Sequence, residues 1–191
     1  MFEKVLVVFA VLSLGGKFIP LPEAGFFFIV SMCLLALIYF LFGYFLFKEK
    51  ATSFRNKFLS VFTGIAFAVA ISGVLFKVMF WPGGAENLIG GIVLSFVTMF
   101  ISIRKKSKSE NDTGKINYYK GIILRSGIIM SISGIFFALP TNELIRLQFR
   151  NNPNLAEMII SCREKNGEGS CWEEIKTQHE NEILQKLDNA Y

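Results

Sequence analysis

Long apolar blocks dominate the chain, and they limit what it can fold into. Residues 25–47, 58–76 and 87–103 carry no charge, and residues 121–139 carry only Arg125. As α-helices these blocks are about 25 to 35 Å long, which matches a bilayer core of roughly 30 Å. Charged residues make up 18% of the chain, against about a quarter in a soluble domain. The pattern therefore predicts an all-α polytopic membrane protein whose solvent is the lipid bilayer.

A weaker apolar block, residues 5–21, is interpreted as the first of about five transmembrane helices. It follows Lys4 and holds Lys17 within it. The alternative is a signal peptide, with Lys4 as its basic start and residues 5–14 as its apolar core. No Ala-x-Ala cleavage pattern follows this core, so retention is preferred and cleavage stays the open alternative.

The connecting loops differ in charge, and this difference predicts the orientation. Residues 48–57 hold four basic residues and one acid, and residues 104–120 hold six and two, whereas residues 20–23 and 81–86 are nearly uncharged. Short loops rich in Lys and Arg stay in the cytoplasm. We therefore expect a multi-pass protein of the inner membrane, with its N-terminus inside and its tail outside. Topology explains the basic loops, so they predict no nucleic-acid partner.

An internal repeat relates the predicted hairpins 1–47 and 58–103. Residues 17–22 read Lys-Phe-Ile-Pro-Leu-Pro and residues 77–82 read Lys-Val-Met-Phe-Trp-Pro, at an offset of sixty residues. This repeat predicts two parallel hairpins, which are followed by a fifth transmembrane helix at residues 120–140. The residues predicted to set the outer turns are Pro22, Pro82, Gly83 and Gly84.

Two lysines within the apolar blocks are candidates for a role, and three small residues are expected to serve ordinary packing. Lys17 and Lys77 are intramembrane basic residues, and each is expected either to reach the outer headgroups or to form a polar site. The small residues Gly127, Ser131 and Gly134 are predicted to allow close helix packing in the fifth helix.

The tail, residues 141–191, is predicted to be a small extracytoplasmic helical region. Asn152 and Pro153 form a helix start, and Cys162 and Cys171 are predicted to form a disulfide. A zinc site using both cysteines and His179 is the weaker alternative, because zinc-binding cysteines are usually closer in sequence. A second helix carries an apolar stripe too narrow to form its own core, so we expect it to pack on the outer loops, on residues 141–150 or on a partner protein, and the last makes it the candidate partner-binding surface. The stripe consists of Trp172, Ile175, His179, Ile183 and Leu187.

Residues 73–84 read Gly-Val-Leu-Phe-Lys-Val-Met-Phe-Trp-Pro-Gly-Gly. This stretch resembles the first hairpin of GldL, a membrane component of the gliding-motility and type IX secretion motor of Bacteroidetes, and of related small membrane proteins. The resemblance implies that Lys77 corresponds to that family's intramembrane lysine. Met79 and Phe80 stand where the family has histidine, and residues 87–103 lack its glutamate. The resemblance therefore implies a related envelope protein or accessory subunit and not a proton-driven motor.

Three functional hypotheses follow from these features. The first is a non-catalytic membrane subunit of a bacterial envelope complex, with other membrane or periplasmic proteins as partners and with no cofactor. The second is a small transporter or channel that uses Lys17 and Lys77. The third is a membrane thiol oxidoreductase, which the absence of a Cys-x-x-Cys motif disfavours.

Overall fold

The computed structural model describes residues 2–18, 24–46, 54–108, 113–164, 173 and 177. Over these ranges the chain forms seven helices and no strand. The helices are α1 (Phe2–Phe18), α2 (Ala24–Leu46), α3 (Phe54–Val78), α4 (Gly84–Ser107), α5 (Thr113–Ala138), α6 (Thr141–Gln148) and α7 (Pro153–Glu164). The chain divides into two compact units, Met1–Leu139 and Pro140–Tyr191.

Three helices of the first unit are long and apolar enough to cross a membrane. They are Lys57–Val78, Gly84–Ser107 and Thr113–Ala138, of 22, 24 and 26 residues. At about 1.5 Å per residue each exceeds the roughly 30 Å bilayer core. Two shorter apolar stretches, Val7–Lys17 and Gly25–Leu41, belong to α1 and α2. The described residues therefore confirm an all-helical chain, with three helices that are long and apolar enough to span a membrane.

Helix α3 forms the centre of the first unit. It packs against α2, α4 and α5, and 67% of its apolar window is buried, against 28% in α4 and 22% in α5. Its sequence explains this position, because Gly64, Ala66, Ala68, Ala70 and Gly73 give it a thin profile that neighbouring helices can approach closely. Phe28 from α2 and Phe67 from α3 are fully buried in the resulting core.

Glycines set the contacts between neighbouring helices. A Cβ on Gly43 of α2 would lie 2.8 Å from the Gly64 Cα on α3, and a Cβ on Gly91 of α4 would lie 2.7 Å from the Ala70 Cβ. Only a hydrogen in place of a side chain permits such approaches. The predicted close packing at Gly127 and Gly134 is not made by the described part of this chain, because a Cβ on either would meet nothing within 4 Å.

The predicted glycine face of α5 also contains Ser131, and this residue is exposed. Its hydroxyl donates to the Gly127 carbonyl of its own helix at 2.9 Å, so it makes a local bond in place of the predicted interhelical contact. The small-residue face of α5 therefore points away from the other described helices.

A tight turn joins α3 to α4. The Trp81 N–H donates to the Phe76 carbonyl at 2.8 Å and the Phe80 N–H donates to the Lys77 carbonyl at 3.3 Å, which are the two bonds of a Schellman motif. Phe80 takes the left-handed position with φ 58°, where glycine is usual. The rings of Phe76 and Trp81 supply the accompanying apolar contact, with centroids 5.4 Å apart. Among the predicted turn residues, Gly83 has φ 82° and precedes α4.

The second unit contains α6 and α7, which pack against each other. The Asn152 side-chain oxygen accepts a bond from the Leu155 N–H at 3.2 Å and Pro153 is the first residue of α7, so the predicted helix start is confirmed. The exposed Arg146 of α6 donates to Glu157 at 3.1 Å and to Glu143 at 3.0 Å. These carboxylates, Glu157 above all, raise the pKa of the Arg146 guanidinium.

Candidate functional site

Polar side chains inside the first unit connect one helix to another. Ser13 of α1 lies 3.1 Å from Ser31 of α2, measured between hydroxyl oxygens. The Ser60 hydroxyl of α3 lies 2.6 Å from the Tyr118 hydroxyl of α5. A third pair, Thr98 of α4 and Ser126 of α5, is separated by 3.3 Å. Hydroxyl pairs of this kind hold membrane helices together where the alternative is hydrocarbon.

An apolar cavity of about 260 Å³ lies between α1, α2, α3 and α5. Its wall contains Ala10 and Leu14 from α1, Phe28 and Met32 from α2, and Val74 from α3. One face of α5 closes the opposite side through residues spaced three and four apart, which is the spacing of a single helix face. The α5 residues are Arg125, Ile128, Ile129, Ile132, Ser133 and Phe136.

Helix α5 contributes two polar residues to the cavity wall, Arg125 and Ser133, and its other wall residues are apolar. Arg125 is partly exposed, but its Nη1 atom is buried. Ser133 is 1% exposed, and its hydroxyl has no hydrogen-bond partner in the described structure. A guanidinium at this depth is costly, since it lies about 7 Å beyond Lys120 along an apolar helix. Charged residues in such positions usually have a function.

The sequence contained a signal for this site, because Arg125 is the one charge within residues 121–139. The charge alone did not indicate a role for Arg125. Sequence alone does not show which helix face a residue occupies relative to neighbouring helices, so the cavity that Arg125 lines was not predicted. Ser133 gave no signal at all, since serine at this spacing is ordinary in packed membrane helices.

The predicted intramembrane lysines lie near the α3–α4 turn. The Lys17 ammonium donates to the Met79 sulfur at 3.0 Å, and Met79 is two residues beyond Lys77. A thioether is a weak acceptor, so this contact only partly replaces water. The contact brings the end of α1 to the turn that follows α3. Both lysines are partly exposed, and whether they form one polar site stays a prediction.

Several predicted site residues fall outside the described ranges. Pro22 lies there, so the first repeat turn and the parallel repeat stay predictions. Cys162 is fully buried at the end of α7, but Cys171 is outside the described residues and the disulfide stays a prediction. Cys33 of α2 is exposed and carries a free thiol.

The predicted partner-binding stripe of the tail is also outside the described ranges. It comprises Trp172, Ile175, His179, Ile183 and Leu187. Two residues that interleave with it, Glu173 and Thr177, are described and helical. The Thr177 hydroxyl donates to the Glu173 carbonyl at 2.9 Å, which is one helical turn back. A helix at this point of the tail therefore agrees with the residues described, and the role of its stripe stays a prediction.

Comparison with protein-family models, curated proteins and solved structures found no match to this chain. Within the described part of the chain, no group of three or more His, Cys, Asp or Glu side chains could hold a metal ion. The fold and the site define a class, an all-helical chain with three helices long and apolar enough to span a membrane and an apolar cavity between four of its helices.

Proposed function

We propose that the chain is a non-catalytic subunit of a bacterial envelope complex, embedded in the inner membrane by five helices. The proposal rests on one observation: polar side chains inside the helix bundle contact each other across neighbouring helices. The pairs Ser13–Ser31, Ser60–Tyr118 and Thr98–Ser126 join helices to each other. Among the described residues these pairs are spread along the bundle and do not join into a continuous polar path, which suits a scaffold better than a conduit or a catalyst.

The outward face of α5 supports a partner within the membrane. Small residues usually line helix contacts, yet a Cβ on Gly127 or Gly134 would meet nothing within 4 Å in this chain. The cavity wall lies on the opposite side of α5, about half a helical turn around from this face. A helix from another subunit would fit against the small-residue face and leave the cavity untouched.

The tail gives a second contact for the complex. On the proposed topology, with the N-terminus inside and five crossings, the tail is outside the membrane and Cys162 and Cys171 form a disulfide. A unit of this size forms only a marginal core, so its apolar stripe is expected to be covered by a partner. The resemblance to GldL-like proteins at residues 73–84 is consistent with an envelope complex for secretion or motility.

Purification from native membranes in mild detergent tests the proposal. A stable partner in fixed ratio supports it, and a chain that purifies alone contradicts it. Gly127→Leu should release the partner without disturbing the bundle, because a Cβ at this position meets nothing within 4 Å in the described part of the chain. Gly90→Leu on α4 is the matched control, since a Cβ there also meets only an ordinary contact, Val69 at 3.8 Å.

A small transporter or channel is the second candidate. The contact between Lys17 and Met79 favours it, because it places an ammonium group at the end of the helix bundle. Lys17→Met in a reconstituted vesicle discriminates between the two functions. Loss of flux would support transport, and unchanged flux would remove the main support for it.

A further inference from the structure

We propose that one exposed face of α4 binds a single anionic phospholipid, whose phosphate contacts the Arg104 guanidinium and the Lys108 ammonium. This lipid face consists of Val93, Val97, Phe100, Arg104 and Lys108. The proposal rests on the membrane location given under the proposed function, and it does not rest on the chain being a subunit of a complex.

Neighbouring helices carry basic residues at one height in the bundle. The close approach of Gly91 to Ala70 fixes the register of the antiparallel helices α3 and α4. Arg104 lies 13 residues beyond Gly91. Lys57 lies 13 residues before Ala70, so the two basic residues share one height, about 20 Å from this contact. Along α3, Lys57 and Lys77 are about 30 Å apart, which is the thickness of a bilayer core. The height of Arg104 therefore matches a boundary between hydrocarbon and head groups.

Helix α5 supports the same boundary. The Thr98 and Ser126 hydroxyls are 3.3 Å apart, Arg104 is six residues beyond Thr98, and Lys120 is six residues before Ser126. Because α4 and α5 run antiparallel, Arg104 and Lys120 are level with each other. In the first unit Glu86 is the one acid whose side chain the structure describes, and it lies at the opposite end of α4. The described charge at the height of Arg104 is therefore positive, and this charge attracts anionic lipid.

The lipid face changes from apolar to basic along α4. Its residues are spaced three and four apart, so they share one side of the helix. Val93, Val97 and Phe100 are exposed by 54%, 37% and 48%, and they offer an apolar surface to acyl chains. Arg104 and Lys108 follow at the boundary and are also exposed. A phospholipid has its acyl chains and its phosphate in the same order.

The Arg104 side chain points back along α4 toward the hydrocarbon. Its Cζ atom lies 4.9 Å from the centroid of the Phe100 ring, one helical turn closer to the middle of the bilayer. Arginine near a helix end usually extends toward water, so this stacking holds the guanidinium at the boundary. Its N–H groups have no hydrogen-bond or ion-pair partner among the residues described. A guanidinium stacked on a ring keeps its edge available for a phosphate.

The position of the charges favours a lipid over an acidic segment of a protein. A ligand of this face must place its anionic group at the height of Arg104 and its apolar part along Val93 and Val97, within the bilayer. An anionic phospholipid meets both conditions in one molecule, and it reaches the face by diffusion within the membrane.

Native mass spectrometry of the purified, delipidated chain in a nonionic detergent tests this assignment. The probes are phosphatidylglycerol, phosphatidylcholine and inorganic phosphate, at an ionic strength of about 0.15 M, where charges act over about 8 Å. We expect the first phosphatidylglycerol to bind about tenfold more tightly than phosphatidylcholine, because a charge-assisted hydrogen bond has about that effect on affinity. Inorganic phosphate should bind more weakly than phosphatidylglycerol, since it has no acyl chains to lie on the apolar part of the face.

Variants locate the site on α4. Arg104→Met should reduce the preference for phosphatidylglycerol to less than about twofold. Lys120→Met is the matched control and should retain the preference, because Lys120 has the same height and charge and is also exposed, but lies on α5. Phe100→Leu keeps an apolar residue and removes the ring, so it should weaken phosphatidylglycerol binding by about threefold. The circular dichroism spectrum of each variant verifies its helical fold.

Three results would overturn the proposal. The first is equal binding of phosphatidylglycerol and phosphatidylcholine. The second is an equal effect of Arg104→Met and Lys120→Met, which would show that the basic end of the bundle attracts lipid without a defined site. The third is binding of inorganic phosphate as tight as that of phosphatidylglycerol, which would show that the apolar part of the face contributes nothing. Co-purification tests the subunit proposal separately, so a failure of one proposal is distinguishable from a failure of the other.

Discussion

The contact between Gly91 and Ala70 provides a quantitative test of the fold. A Cβ built on Gly91 would lie 2.5 Å from the Ala70 Cα and 2.7 Å from its Cβ, whereas ordinary carbon contacts begin near 3.5 Å. Gly91→Ala must therefore separate α4 from α3 by about 1 Å. Neighbouring Gly90 is a matched control, because its Cβ would meet only Val69 at 3.8 Å.

The expected difference between the two variants is about 1 to 3 kcal/mol, which is the usual cost of overpacking a well-packed contact. The gain in helix propensity from glycine to alanine is common to both variants and cancels. Unfolding in mixed micelles with increasing dodecyl sulfate, followed by Trp81 fluorescence, measures this difference, since Trp81 packs on Phe76 beside the same hairpin turn. Equal stabilities of Gly90→Ala and Gly91→Ala would refute the close approach of α3 and α4.

Three further predictions use the same unfolding assay. A double-mutant cycle of Ser60→Ala and Tyr118→Phe should give a coupling of about 0.6 kcal/mol, typical of membrane hydrogen bonds, and zero coupling would contradict the contact between α3 and α5. Phe80→Gly should raise stability by up to about 1 kcal/mol, because it relieves a left-handed φ of 58°, whereas Met79→Gly should not. For Arg146, which lies in the second unit, the unfolding is followed by circular dichroism in place of Trp81 fluorescence, and its titration should not change the stability of that unit between pH 6 and 9. Its pKa is raised, so its contribution is complete below the unfolded-state value and is lost only in stronger alkali.

The membrane character of the chain could be predicted from sequence because it depends on local composition. A run of apolar residues as long as the bilayer is thick is rare in a soluble protein, so the blocks 58–76 and 87–103 predict α3 and α4 to within about four residues at each end. The start of α5 was not predicted, because this helix begins at Thr113, within the charged segment 104–120 that was interpreted as a loop. The start of α7 at Asn152 and Pro153 could also be predicted from local sequence, since a cap residue and a proline act within one helical turn.

The packing faces could not be predicted in the same way. Gly127, Ser131 and Gly134 have the spacing of a packing face, but so do Gly64 with Ala68 and Gly84 with Gly91, and only the neighbouring helices decide which set is used. In a bilayer both the packed and the lipid-facing sides of a helix are apolar, so hydrophobic periodicity gives no guidance. For the same reason the cavity beside Arg125 could not be predicted, because it forms only when four helices are packed together.

Cysteine-accessibility mapping tests the central claim most directly, namely that α5 crosses the membrane and leaves positions 108 and 142 on opposite sides of it. Lys108→Cys, after α4, and Asn142→Cys, in α6, are placed singly in a chain whose native cysteines are replaced by serine. A membrane-impermeant maleimide applied to intact spheroplasts should label position 142 at once and position 108 only after lysis. Labelling of both positions before lysis, or of position 108 alone, would contradict the proposed topology.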